Sequence, residues 1–146
     1  MIKLQEVCKD NYNDVVKLEL TEPQQKVIAS NLVSLAQAYV CRDISKAFAI
    51  YNDDQVIGFT LLQTDKEKDF FYVWRIMIDK EFQGKGYGEK ALQLVVDYLI
   101  REGAKVIHMS HQTNNYGPSK LYQKVGFKYT KKIEDGEVLM EYHVTT

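Results

Sequence analysis

Long apolar runs are missing from this chain. No stretch approaches the ~20 consecutive apolar residues of a membrane-spanning helix, and the opening MIKLQEV lacks the apolar run of a secretory signal. Both absences lead to the expectation of a soluble, cytoplasmic protein with no membrane partner. Cysteine is scarce too: Cys8 and Cys41 are the only two, and their spacing suggests neither a disulfide framework nor a metal site, so no metal is expected. Nor is there an excess of charge. With 19 basic and 20 acidic residues the formal charge is −1, which argues against a nucleic-acid partner. Repeats, low-complexity tracts and linkers are absent, and 146 residues is the size of one domain, so 1–146 is expected to fold as one unit.

What is present is a change of period along the chain. Ile2 to Val7 alternates and reads as a strand, and Asn13 to Leu20 as a short helix. Thr21-Glu22-Pro23-Gln24 has the form of a capping box, and behind it Ile28, Leu32, Leu35, Ala36 and Tyr39 recur at helical spacing. One amphipathic helix over Pro23 to Tyr39 is therefore predicted. Phe48 to Tyr51 and Gln55 to Leu62 are β-rich runs joined by Asn52-Asp53-Asp54, and Phe71 to Ile78 is an apolar strand broken by Arg75. Leu92, Val95, Val96 and Leu99 mark a helix stopped by Gly103; Lys105 to Ser110 is a strand and Pro118 to Val125 a short helix. Phe127 to Ile133 and Glu137 to Val144 join across Asp135-Gly136, a strong two-residue hairpin signal. The order β-α-α-β-β-β-α-β-α-β-β points to an α+β fold with a central sheet of mixed, mostly antiparallel direction flanked by helices.

The chemistry concentrates where the strand ending at Ile78 meets the next helix, at Gln83-Gly84-Lys85-Gly86-Tyr87-Gly88-Glu89. Glycines allow close backbone approach, and amides at a helix start point outward with the positive end of the dipole. That is an anion cradle, with the charge of Lys85 beside it. Two other phosphate loops do not fit: Lys85 is followed by Gly86, not Ser or Thr, and the glycine spacing is not Gly-x-Gly-x-x-Gly.

Gln83, Gly86 and Gly88 resemble the Gln-x-x-Gly-x-Gly acyl-CoA loop of the GNAT acetyltransferase superfamily. Asn115, followed by Ser119-Lys120-Leu121-Tyr122-Gln123-Lys124-Val125-Gly126-Phe127, is similar to that family's Asn-x-x-Ala-x-x-Leu-Tyr-x-Lys-x-Gly-Phe segment. The two blocks lie one helix and one strand apart, as in the family; Pro118 departs from its usual small residue. Trp74 to Asp79 and the Leu121 to Phe127 block look most like bacterial spermine/spermidine acetyltransferases. The resemblance implies the GNAT fold and acetyl-CoA as acyl donor. It further implies that Ile76, Met77 and Ile78 pair with the pantetheine arm and that the amides of Gln83, Gly84, Lys85, Gly86, Tyr87, Gly88 and Glu89 hold the pyrophosphate. Asn115, Ser119 and Lys124 would lie along the cofactor's other side, Lys85, Lys120 and Lys124 would meet its phosphates, Tyr122 would also touch the cofactor, and a homodimer is the family habit.

In such a reaction an amine attacks the thioester directly, and Tyr122 matches the family's general acid. Proton transfer from tyrosine to a departing thiolate is uphill by about 1.5 pKa units, roughly 2 kcal/mol. No carboxylate precedes Asp79 on the Trp74–Ile78 strand, so no base is assigned; His108 and His111 read as structural. Glu19, Glu22, Tyr39 and Trp74 are the candidates for receiving a polyamine, through carboxylates and aromatic faces. Two alternatives stay open: acetylation of protein α-amino groups, lysines or antibiotic amines, and a non-catalytic acyl-CoA-binding regulatory module.

Overall fold

The structure is a computed structural model that describes residues 1–26 and 28–145. Its strands are β1 (Ile2–Glu6), β2 (Ser45–Asn52), β3 (Gln55–Asp65), β4 (Phe70–Ile78), β5 (Val106–Gln112), β6 (Lys128–Glu134) and β7 (Glu137–His143), and its helices α1 (Tyr12–Lys17), α2 (Glu22–Gln25), α3 (Asn31–Val40), α4 (Tyr87–Arg101) and α5 (Ser119–Val125). All seven strands form one sheet in the order β1-β2-β3-β4-β5-β7-β6. Every pairing is antiparallel except β4 with β5. The expected α+β architecture with a mixed, mostly antiparallel sheet is therefore what forms, and no described helix is long and apolar enough to cross a membrane.

The parallel pair is the exception that matters. β4 and β5 are in register only at Phe71↔Ile107 and Tyr72↔His108, and beyond these residues the strands diverge. One cause is visible in β4. Leu62 pairs with Val73 and Leu61 with Arg75, so Trp74 is an extra residue on the β4 side, a bulge that bends the strand. The strands part because β4 turns away.

Two cores clamp the sheet. On one face Leu92, Val95, Val96 and Leu99 of α4, all fully buried as their spacing predicts, pack with Phe71, Val73, Ile107 and Met140. On the other, Val15 of α1 meets Phe59, Leu61 and Met77. Gly103 ends α4 at φ 107, and Asp135 and Gly136, at φ 51 and 76, make the two-residue hairpin that their sequence predicts.

The helix expected over Pro23 to Tyr39 is instead two, α2 and α3, giving three helices before β2; Val27, inside the expected span, lies outside the described residues. The capping box at Thr21 and Gln24 forms as read, but Ser30 caps a new helix by accepting a hydrogen bond from the Val33 amide (3.2 Å). This restart rotates the helix. Asn31 and Ser34 face inward, with Leu35 and Ala38 half-buried, while Leu32 (65% exposed), Ala36 and Tyr39 (69%) face outward. Asn31 earns its inward place by donating to the Val15 carbonyl at 2.9 Å. Apolar periodicity identified a helix here but selected the wrong face.

Candidate functional site

The opening between β4 and β5 is a cleft of two connected halves, about 670 Å³ and about 650 Å³. Ile28, Ile76, Asn115 and Tyr122 line both. The first half runs from Met77 and Ile78 to Gln83, Gly84, Gly86 and Gly88 and is bounded by Pro118 and Leu121. The second reaches from Trp74 and Arg75 across to Ser110 and His111 and on to Asp135 and Glu137 at the β6–β7 turn.

In the glycine-rich turn the three glycines do two different things. Gly84 and Gly86 have φ of +80° and +84°, and a Cβ at either would meet nothing within 4 Å; conformation, not crowding, requires glycine there. Gly86 caps the 15-residue α4, so that the amides of its first turn open toward the cleft. Gly88 lies inside the helix, and a Cβ there would come within 3.3 Å of Leu121 and 3.7 Å of Ile78. It lets α4 approach α5 and β4 closely.

Gln83 points its side chain inward. Its Nε2 donates to the Ile78 carbonyl (2.8 Å) and to Gln24 Oε1 (3.0 Å), while Gln24 Nε2 donates back (3.3 Å). The turn is thus tied at once to the end of β4 and to α2. Ser119 is buried and donates to the Tyr116 carbonyl (2.7 Å), fixing the start of α5. Pro118 stands just before that helix, where its missing N–H costs nothing, and its carbonyl accepts from the Tyr122 amide. Of the lysines, Lys124 is paired with Glu89 (3.2 Å), Lys85 lies over the Phe82 ring, and Lys120 is exposed. Tyr87, half-buried at the head of α4, accepts a hydrogen bond from Asn52 (3.3 Å).

Tyr122 sits where the halves meet. It is 8% exposed, and among the described residues its hydroxyl has no hydrogen-bond partner. Burial pushes its phenol well above the ordinary value, with Tyr72 adding to the effect. It stays a neutral O–H throughout the physiological range.

In the second half, His111 is buried. Its Nδ1 donates to the Gln112 carbonyl (2.9 Å), which can only accept, and Nε2 is hydrogen-bonded to the Tyr129 hydroxyl (3.0 Å). His108 stacks on Phe70 and faces Glu141. Both histidines have structural partners, in keeping with their reading from sequence.

Of the four residues expected to receive an acceptor, Trp74 lines the cleft, and Glu19, Glu22 and Tyr39 do not. Glu19 pairs with Lys80 (2.8 Å), Glu22 is exposed in the first turn of α2, and Tyr39 projects outward beneath Arg42. For Tyr39 the displacement follows from the broken helix, whose restart at Ser30 turns that side chain outward. The acidic residues that do line the cleft, Asp135 and Glu137, were read only as parts of a hairpin.

Residues 8–127 match the acetyltransferase (GNAT) family. A probable spermine N(1)-acetyltransferase of Bacillus subtilis subsp. natto is 30% identical over 95% of this chain and 96% of its own. The spermine/spermidine N(1)-acetyltransferase of Bacillus subtilis strain 168 is 29% identical over the same shares. Among solved structures, the spermidine N-acetyltransferase of Vibrio cholerae in complex with CoA and spermine superposes with a TM-score of 0.76 at 16% identity, over 97% of this chain and 95% of that one.

Proposed function

The chain belongs to the acetyltransferase (GNAT) family and is an acetyl-CoA-dependent N-acetyltransferase, and from that premise we propose that its acceptor is a polyamine of the spermine or spermidine type. The observation that carries the reading is the near-full-length likeness to the two Bacillus enzymes named for those amines. The second half of the cleft supports it, with Asp135 and Glu137 at one end and the Trp74 face along its wall. Carboxylates and an aromatic face suit a chain of ammonium groups.

In this reading the first half of the cleft takes the donor. The amides of residues 83–89 meet the pyrophosphate at the positive end of α4, and Gly84 and Gly86 give the backbone the turn it needs. The backbone of Ile76, Met77 and Ile78 supplies the polar edge that β5 leaves free, and the pantetheine arm occupies that edge as a strand would. Asn115 and Tyr122 line the other side, Ser119 fixes the start of α5 behind them, and Lys85, Lys120 and Lys124 would be drawn to the phosphates.

The acceptor nitrogen, as a neutral amine, forms a bond to the thioester carbonyl carbon, and the carbon–sulfur bond breaks. Tyr122 gives its proton to the departing sulfur, the new amide nitrogen releases one to water, and Tyr122 takes a proton back from water, which restores the neutral phenol. The raised phenol of Tyr122 does not defeat this step. A thiolate leaving into the same apolar slot is destabilised by the same burial, so the two proton affinities rise together.

Release of free thiol from acetyl-CoA tests the reading, with spermidine, spermine and an N-terminal peptide as competing acceptors. Turnover of the polyamines is expected. Turnover of the peptide with none of spermidine would overturn it.

A further inference from the structure

Arg75 is the only charged residue of β4, in a strand otherwise made of apolar and aromatic side chains. It is half-buried in the wall of the acceptor half of the cleft. A guanidinium has five N–H donors. Nη1 donates to the Trp74 carbonyl (3.0 Å) and Nη2 to Gln37 Oε1 of α3 (3.3 Å), and the group lies 5.5 Å from the Trp74 ring centre. Among the described residues no carboxylate is within ion-pair distance of it. Burial alone lowers its proton affinity, and Tyr72 and then Glu137 draw it back up; a guanidinium remains charged all the same. The other ionisable groups facing this space are His111 of β5, Tyr122 of α5 and Asp135 and Glu137 of the β6–β7 turn, while α3 contributes the neutral Gln37 and the segment before it Ile28 and Ala29.

The cleft therefore has a fixed cation at one place and two anions at another. An aliphatic amine reaches it as an ammonium ion, and both nitrogens of His111 are already engaged. We propose that Arg75 sets the protonation state of the acceptor: its charge disfavours the ammonium form of the amine seated beside it, so that the proton leaves to water and the neutral nucleophile remains. Only the N–H bond breaks in this step. Like charges in a partly desolvated site act in the same way on lysine nucleophiles that sit beside a second cation. Asp135 and Glu137 receive the acceptor's remaining ammonium, so the same cleft attracts the far end of a diamine and repels the charge at its near end. This inference rests on the polyamine reading for its acceptor. At a separation of about 6–8 Å and an effective dielectric constant near ~20, the repulsion lowers the ammonium's proton affinity by about one to two pH units.

Calorimetric titration of spermidine into the full-length protein at pH 8, in two buffers of different ionisation enthalpy, counts the protons released on binding without any turnover. Release is expected from the wild type and from Arg75→Lys, and much less from Arg75→Gln. In parallel, the acid limb of kcat against pH should move up by about one to two units in Arg75→Gln, stay in place in Arg75→Lys, and move down in Glu137→Gln, which removes an opposing charge. Trp74, the sole tryptophan, reports by its fluorescence whether each variant keeps its fold. Should Arg75→Gln fail to fold, an acid limb that does not fall in Glu137→Gln overturns the proposal. Equal proton release by wild type and Arg75→Gln overturns it while leaving the polyamine acceptor standing. Absence of spermidine binding to the wild type overturns both.

Discussion

Tyr122 combines two properties that ordinarily exclude each other, deep burial and a place in the lining of an open cleft. It is packed in the core with Leu92 and Phe127, and it lines both halves of the cleft. Since burial raises the phenol, ionisation would not remove the proposed acid at alkaline pH: the folded group stays protonated beyond the ordinary value of ~10. A profile of kcat against pH should accordingly show no descending limb below about pH 10 that Tyr122→Phe abolishes. The same substitution is expected to lower kcat by about 10²–10⁴-fold, and to change the KM for acetyl-CoA far less. Tyr122 was readable from its place in the Leu121 to Phe127 block. Asp135 and Glu137 were not, because a hairpin signal specifies a local backbone conformation and not the direction in which the turn faces. Arg75 was visible as a break in an apolar strand, yet only the bulge at Trp74 turns it into the cleft wall.

Between β4 and α4, the glycine-rich turn gains its shape from φ values and its position from one side chain. Gly86→Ala would place a Cβ in open space but at φ +84°, a strain of about 1–3 kcal/mol. The cost falls on the turn, so a several-fold rise in the KM for acetyl-CoA with kcat little changed is expected from steady-state kinetics. Gln83→Leu tests the anchoring instead. It leaves the Ile78 carbonyl and Gln24 without their partner, worth about 1–3 kcal/mol, and should also raise that KM while lowering the melting temperature. The motif was legible because phosphate cradles demand glycine at fixed offsets. The work of its glutamine was hidden, since the partners are 5 and 59 residues away. The second predicted helix failed for a related reason. Asn31 and Ser34 are buried by long-range contacts, among them the bond from Asn31 to Val15, that no 3.6-residue period records.

At the scale of the whole molecule, β4 and β5 are joined by only two residue pairs, so the sheet is nearly two sheets that share a short seam. Most of its order was legible, because turn signals and alternating patterns mark each strand. The seam was not, since it depends on where a strand bends. Its consequence reaches beyond catalysis, to how the backbone exchanges with solvent. The β5-facing amides of β4 beyond Tyr72, and the β4-facing amides of β5 beyond His108, have no strand across from them, and they should take up deuterium as readily as those of an outer strand. Acetyl-CoA laid along that edge would slow them and, at 100 times its Kd, add about 2.7 kcal/mol to stability. Mass spectrometry with and without the donor would read this as protection of 73–78 and 109–112, beside that of the 83–89 turn. On the proposed binding mode, the acyl donor would complete the fold as an eighth strand, one that leaves at every turnover.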